Sequence, residues 1–180
     1  MSLPTFRYHP DPVATGSIEA SPKPCVCCGQ ERGFIYVGSV YGEKELFDML
    51  CPWCIHDGSA HTKLGAEFAD PAGVGGYVPK VSLPRAVVEE VAFRTPGFTG
   101  WQGEQWLPCC GDVAAFVGRA GHRELESHWQ DAIISIQEES RQHGADWERY
   151  FHALDRDGSP TAYVFRCLHC RRHIGYSDCD

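Results

Sequence analysis

No stretch of this 180-residue chain stays apolar for anything near the ~18–20 residues that a membrane-crossing helix needs. A helical span is therefore not expected. The first residues, MSLPTFRYHPDP, lack the basic-then-apolar layout of a signal peptide, so a soluble protein in the cytoplasm is expected. Positive charge is also short. Sixteen Lys and Arg face 24 Asp and Glu, for a net charge of −8. Nucleic-acid binding depends on neutralising phosphates with Lys and Arg, so this balance disfavours it. One local basic cluster remains, formed by Arg166, His169, Arg171, Arg172 and His173.

Several catalytic and binding signatures are missing too. His122 and His128 are six apart, on different faces of a helix, and do not make the HExxH pair of a zinc protease. Asp155-Arg-Asp157-Gly158 starts like a calcium loop, but its glycine comes early and no Glu closes it. Gly73-Val-Gly75-Gly76 is not a dinucleotide fingerprint, and there is no serine nucleophile elbow. Internal repeats and low-complexity tracts are absent apart from paired cysteines.

Cysteine is what the chain has in excess, with ten in all. Cys25-x-x-Cys28 and Cys51-x-x-Cys54 are separated by 22 residues. Each pair can present two thiolates from one turn, and the loop between them lets the turns meet. Four converging thiolates are what tetrahedral zinc requires. Paired CxxC turns also hold iron in rubredoxin-like sites, so the spacing leaves the metal open. A secreted disulfide scaffold would show an export signal, which these first residues do not resemble. Cys27 lies between two ligands and is expected to point away, as a small packed residue or as a spare thiol.

A second group is Cys109-Cys110 with Cys167-x-x-Cys170. Cys167 and Cys170 fall between two predicted strands, a natural place for a knuckle on a hairpin. Adjacent cysteines diverge by about 100° in a helix and about 180° in a strand. Cys110 is thus the expected ligand, with Cys109 joining only if the loop is irregular; His128, His169 and His173 are alternative donors. Free thiols on a structural hairpin, or a redox disulfide, are the competing readings. Asp57, Ser59 and Asp112 are polar residues beside these turns, suited to capping and supporting them or to a polar site between metals.

Residues 1–24 are a proline-broken lead-in anchored by Phe6, Tyr8 and Ile18. A strand is expected over 33–41, a helix over 55–68, a loop over 70–78, and a helix from a Ser82 cap through 94. Residues 98–111 are irregular, with Trp101 and Trp106 packing beneath the second ligand loop. Residues 112–120 read as helix or buried strand. Leu125, Trp129, Ile133 and Ile136 form one stripe and predict a single helix over 122–143, closed by Gly144. A further helix spans 146–154, and strands at 161–166 and 173–176 flank the CLHC turn.

The blocks LPTFRYHPDPVATGSI (3–18), CVCCGQERGFIYVG (25–38), CPWCIHDGSA (51–60), RTPGFTGWQGEQWLPCCGD (94–112) and GSPTAYVFRCLHC (158–170) resemble the CbrC family along nearly the whole chain. That resemblance implies a bacterial, cytoplasmic protein associated by name with colicin tolerance. The family pattern around Cys110 is similar to HC-x-D-x-CAF. Here Cys109 stands where that pattern has histidine, and Ala114 where it has a further cysteine.

The expected fold is α+β: one domain over 1–180, with a zinc-ribbon-like part at 25–54 and a helical part with the second cysteine cluster at 98–180. The expected metal ligands are Cys25, Cys28, Cys51, Cys54, Cys109, Cys110, Cys167 and Cys170, with one zinc expected and room for two. The leading functional reading is a non-enzymatic zinc protein that engages another protein in a bacterial stress or toxin-tolerance response. The rival is a hydrolase-like metalloenzyme with an open second site near Cys110, Asp112, Cys167 and Cys170.

Overall fold

The computed structural model describes residues 2–43, 45–77 and 80–180. The fold is α+β, with small antiparallel sheets and short helices arranged around three apolar clusters. The last residue of the loop expected at 70–78 lies outside the described residues, as does Met1 of the lead-in.

Strand β1 (Ile18–Ala20) pairs antiparallel with β2 (Phe34–Tyr36). The lead-in thus contributes a strand, and the strand expected over 33–41 is only three residues long. Helix α1 (Pro52–His56) begins with proline, whose fixed φ suits the first helical turn. Gly58, at φ 78°, ends it, and α2 (Ser59–Leu64) starts anew. The single helix expected over 55–68 is therefore two. Asp57 accepts a hydrogen bond from the Ser59 amide at 2.8 Å, so these residues make the joint. Phe6, Ile18, Ile35, Leu50, Ile55 and Phe68 bury the first cluster.

Helix α3 (Arg85–Arg94) is capped by Pro84, two residues later than a Ser82 cap would give. It stops at Thr95 because a residue before proline is driven to extended geometry. Strands β3 (Pro108–Cys109) and β4 (Asp112–Val113) form a minimal hairpin. The sheet that follows has the order β5 (Ala115–Ala120), β6 (Thr161–Arg166), β7 (His173–Asp178), all antiparallel. Residues 112–120 are thus strand, not helix. Phe98, Trp106, Phe116, Phe165 and Tyr176 fill the central cluster. Trp101 is half exposed, its indole donating to the Gly158 carbonyl at 3.1 Å, so only Trp106 of that pair is buried.

The helix expected over 122–143 is broken into α4 (His122–His128) and α5 (Ala132–Ser140). Its stripe still faces one core, with Leu125 and Ile136 buried and Trp129 and Ile133 packed against them. The break follows from what α5 does. Asp131 accepts from the His173 amide (2.7 Å), and Ser135 accepts from the Gly175 amide (2.8 Å). Four helical residues rise about 6.0 Å and two strand residues about 6.6–6.8 Å. Acceptors spaced by four on α5 therefore match alternate amides on the outer edge of β7. Arg141, at φ 57°, closes α5, whereas Gly144 opens α6 (Gly144–Ala153). Gly144, expected to end a helix, begins one instead.

Two buried ionisable groups set opposing pH slopes. His9 donates from Nδ1 to the Pro96 carbonyl (2.7 Å) and accepts at Nε2 from the Thr15 hydroxyl (2.6 Å). Burial pulls its pKa down to about 4, against the pull of that carbonyl. As pH falls from about 6.5 to 4, the unfolded chain takes a proton the folded chain refuses, so stability drops. Glu104 is 4% exposed and accepts from the Tyr41 hydroxyl (3.1 Å). Burial lifts its pKa to about 7, against that hydrogen bond. As pH falls from about 7 to 4.5, the folded chain takes the proton first, so stability rises. Glu104→Gln should therefore gain a few kcal/mol at pH 8, because each pH unit between the folded and unfolded titrations is worth ~1.4 kcal/mol. The gain should vanish by about pH 4.5, where the folded carboxyl is already neutral. Urea titrations of both proteins at matched metal load measure that difference. A gain that does not change with pH would contradict a buried carboxylate.

Candidate metal centres

The first tetrad is built by a knuckle and a helix start. The Cys25 amide donates to the Gln30 carbonyl (3.0 Å), and the Gly29 amide returns to the Cys25 carbonyl (2.7 Å). Gly29 takes the left-handed conformation this turn needs, at φ 70°. The Val26 amide bonds the Met49 carbonyl, and the Tyr36 amide bonds the Leu50 carbonyl. Those two bonds carry Cys51 and Cys54, at the head of α1, onto the knuckle. Cys25 Sγ lies 3.8 Å from Cys54 Sγ, and Cys28 Sγ lies 3.9 Å from Cys51 Sγ. All four sulfurs fall within 4.8 Å of one another. Four Zn–S bonds of about 2.3 Å in a tetrahedron place sulfurs about 3.8 Å apart. A disulfide would need about 2.05 Å. The spacing is one that could cage a metal ion, and all ten cysteines are unbridged.

Three of these four side chains are buried, and Cys28 is half-buried. The proximity of the Cys51 thiol, with the amides of Cys51, Cys28 and Cys27, outweighs burial and lowers the Cys25 pKa to about 4. The neighbouring Cys25 sulfur, and then burial, push Cys51 far above the usual thiol range. Burial lifts Cys54 to about 12. A bound cation supplies the charge that lets the other thiols ionise. Cys27 lies outside the cage, with its thiol toward the Ser59 hydroxyl at 3.5 Å.

The second tetrad gathers Cys109, Cys110, Cys167 and Cys170 within the same 4.8 Å limit. Cys109 Sγ is 3.9 Å from both Cys110 Sγ and Cys170 Sγ. The adjacent pair converges because Cys110 and Gly111, at φ 54° and 78°, form the two-residue loop between β3 and β4. Positive φ at both central residues is the pattern of a type I′ hairpin turn. It swings Cys110 round to the side Cys109 already faces. The expected reservation over Cys109 is thereby removed. The visible signal was Cys110-Gly111, an X-Gly pair ahead of an apolar strand.

The CLHC knuckle repeats the first one bond for bond. The Cys167 amide donates to the Arg172 carbonyl (2.9 Å), and the Arg171 amide returns to the Cys167 carbonyl (3.2 Å). Arg171, at φ 66°, stands where Gly29 stands in the first knuckle. A side chain in that conformation costs roughly 1–2 kcal/mol, part of which glycine returns through greater unfolded-state freedom. Arg171→Gly should therefore raise stability by about 0.5–1 kcal/mol. A thermal melt that is unchanged or lower would show that Arg171 makes a contact outweighing its strain.

His169, between these ligands, is not in the cage. Its Nε2 meets Asp112 Oδ2 at 3.1 Å. Asp112 also receives Arg7 on Oδ2 (2.6 Å), and Tyr8 (2.9 Å) and the Val113 amide (2.8 Å) on Oδ1. Burial pushes this carboxyl up, but those hydrogen bonds and the Arg7 charge win, and its pKa is lowered. Tyr8 was legible only as an anchor and Arg7 not at all, because no local pattern pairs positions more than a hundred residues apart. His173 is held by Asp131 at 3.0 Å, and His128 packs edge-on to Trp129, so neither takes the fourth place. Cys109 takes it.

The two cages differ in access. Cys110 and Cys170 are exposed and Cys109 is half-buried, leaving only Cys167 fully covered. Backbone donation, first from the Arg172 amide, lowers the Cys170 pKa to about 6. Burial raises that of Cys109.

The model of an uncharacterised protein family, UPF0167, matches residues 3–179. The chain belongs to UPF0167. A UPF0167 protein of Mycobacterium bovis is 49% identical over 98% of this chain and 93% of its own length. A UPF0167 protein of Mycobacterium tuberculosis matches with the same identity and coverage. Another, from Pseudomonas aeruginosa, is 44% identical over 93% of this chain and 92% of its own. No solved structure matches this UPF0167 chain. Among the described residues, no helix is long and apolar enough to cross a membrane.

Proposed function

We propose that this chain is a two-site zinc protein without catalytic activity, acting in the bacterial cytoplasm through contact with another protein. The observation that carries the reading is the presence of two four-sulfur cages with tetrahedral spacing. Four thiolates suit zinc by softness and geometry; iron is the alternative ion. Closed four-thiolate coordination leaves no position for water, which weighs against hydrolysis. The second cage has Cys109 as its fourth donor, and Asp112 is already engaged by four donors, so neither an open position nor an idle base favours the enzyme reading. The similarity to the CbrC family supports a stress or toxin-tolerance role, and the acidic charge weighs against nucleic acid as partner.

Elemental analysis of protein purified without added metal tests the first part. Two zinc ions per chain are expected. One ion or none, or iron in both cages, would sink it. For the second part, a partner retained by the intact protein should be lost when zinc is stripped and regained on reloading.

A further inference from the structure

We infer that the second tetrad is also a hydroperoxide-sensitive dithiol, in which Cys170 and Cys109 join as a disulfide while the first tetrad keeps its ion. The inference rests on the two-site reading above and adds a reaction to one of the sites. Its basis is the contrast in access. The first cage offers a peroxide one half-buried sulfur, Cys28. The second offers two exposed sulfurs and a half-buried one. Oxidation of cysteine follows thiolate character and exposure, and a sensor thiol needs a resolving partner nearby. Coordination makes the ligand sulfurs thiolates. Cys170 is the exposed member of its knuckle, and its sulfur sits 3.9 Å from that of Cys109.

The chemistry closes with hydrogen peroxide as the named oxidant. The Cys170 thiolate attacks one peroxide oxygen; an S–O bond forms, the O–O bond breaks, and hydroxide leaves to be protonated to water. Cys109 then attacks the sulfenic sulfur; the S–S bond forms, and a second hydroxide leaves as water. The two sulfurs lose two electrons, and one peroxide becomes two waters. The sulfurs must close from 3.9 Å to about 2.05 Å. Cys109 and Cys110 are equally near, but bridging neighbours would strain the two-residue turn that positions them both. Only Cys110 and Cys167 then remain to hold the second ion, which is too few to retain it.

The test uses the full chain loaded with zinc, its metal content measured first. Fewer than two ions per chain at that stage would remove the two-site reading, and this inference with it. With two ions present, stoichiometric hydrogen peroxide should release one to a colorimetric chelator. The denatured thiol count should fall from ten to eight. Peptide mapping should find the Cys109–Cys170 bridge, and dithiothreitol with zinc should restore the starting state. The double variant Cys27→Ser, Cys179→Ser removes the two thiols outside the cages and should respond identically. Loss of both ions together, retention of both, or a bridge between any other pair would overturn the inference while leaving the two-site reading intact.

Discussion

Cys51→Ser should yield a chain that loses the first ion and does not fold. A structural zinc site contributes on the order of 10 kcal/mol, and a domain of this kind has a total stability of about 5–15 kcal/mol. Cys51 is fully buried, and its amide also donates to Cys25 Sγ at 3.2 Å. The first apolar cluster is assembled around it, with Leu50 before it and Ile55 after it. Serine keeps the size but is a poor zinc ligand, and three thiolates, two of them buried, would remain with less to balance them. Far-UV and near-UV circular dichroism together with metal content provide the measurement. A soluble variant with native spectra and a full complement of zinc would refute a structural role for the cage.

Cys167→Ser should have the second-largest effect, of a different kind. Cys167 is the covered ligand of the exposed cage and continues from β6, so its loss removes the second ion but leaves the first cluster intact. The zinc content should fall from two per chain to one. Amide exchange should speed up selectively in the β3–β4 hairpin and the CLHC knuckle, where few bonds other than coordination hold the chain. It should also speed up around Arg7 and Tyr8, because Asp112 links them to His169. An unchanged stoichiometry would mean that the second cage does not hold metal.

The two cages were legible to unequal degrees. Cys25, Cys28, Cys51 and Cys54 carry their own local geometry, because a CxxC turn aims two sulfurs whatever surrounds it. Cys109 was harder, since adjacent side chains diverge in regular structure. Its place depends on a left-handed residue at Cys110, a position where a non-glycine is uncommon. Helix breaks were hidden for a related reason. The stripe from Leu125 to Ile136 has the right period, yet the chain leaves helical geometry at Trp129, and Asp131, at the head of α5, bonds the His173 amide. That partner lies far along the chain, and periodicity reports only on local order. Strand 161–166 and its return were readable because both flanks of the knuckle are rich in β-branched and aromatic residues.

The acceptors that α5 lays along β7 bear on how another molecule could dock. A polypeptide lengthening this sheet along β7 would have to displace Asp131 and Ser135 from amides they already satisfy. Recognition at that margin by backbone pairing is therefore costly, and so is self-stacking of crowded copies. A binder at that margin is directed instead to side-chain surfaces, where selectivity is written residue by residue.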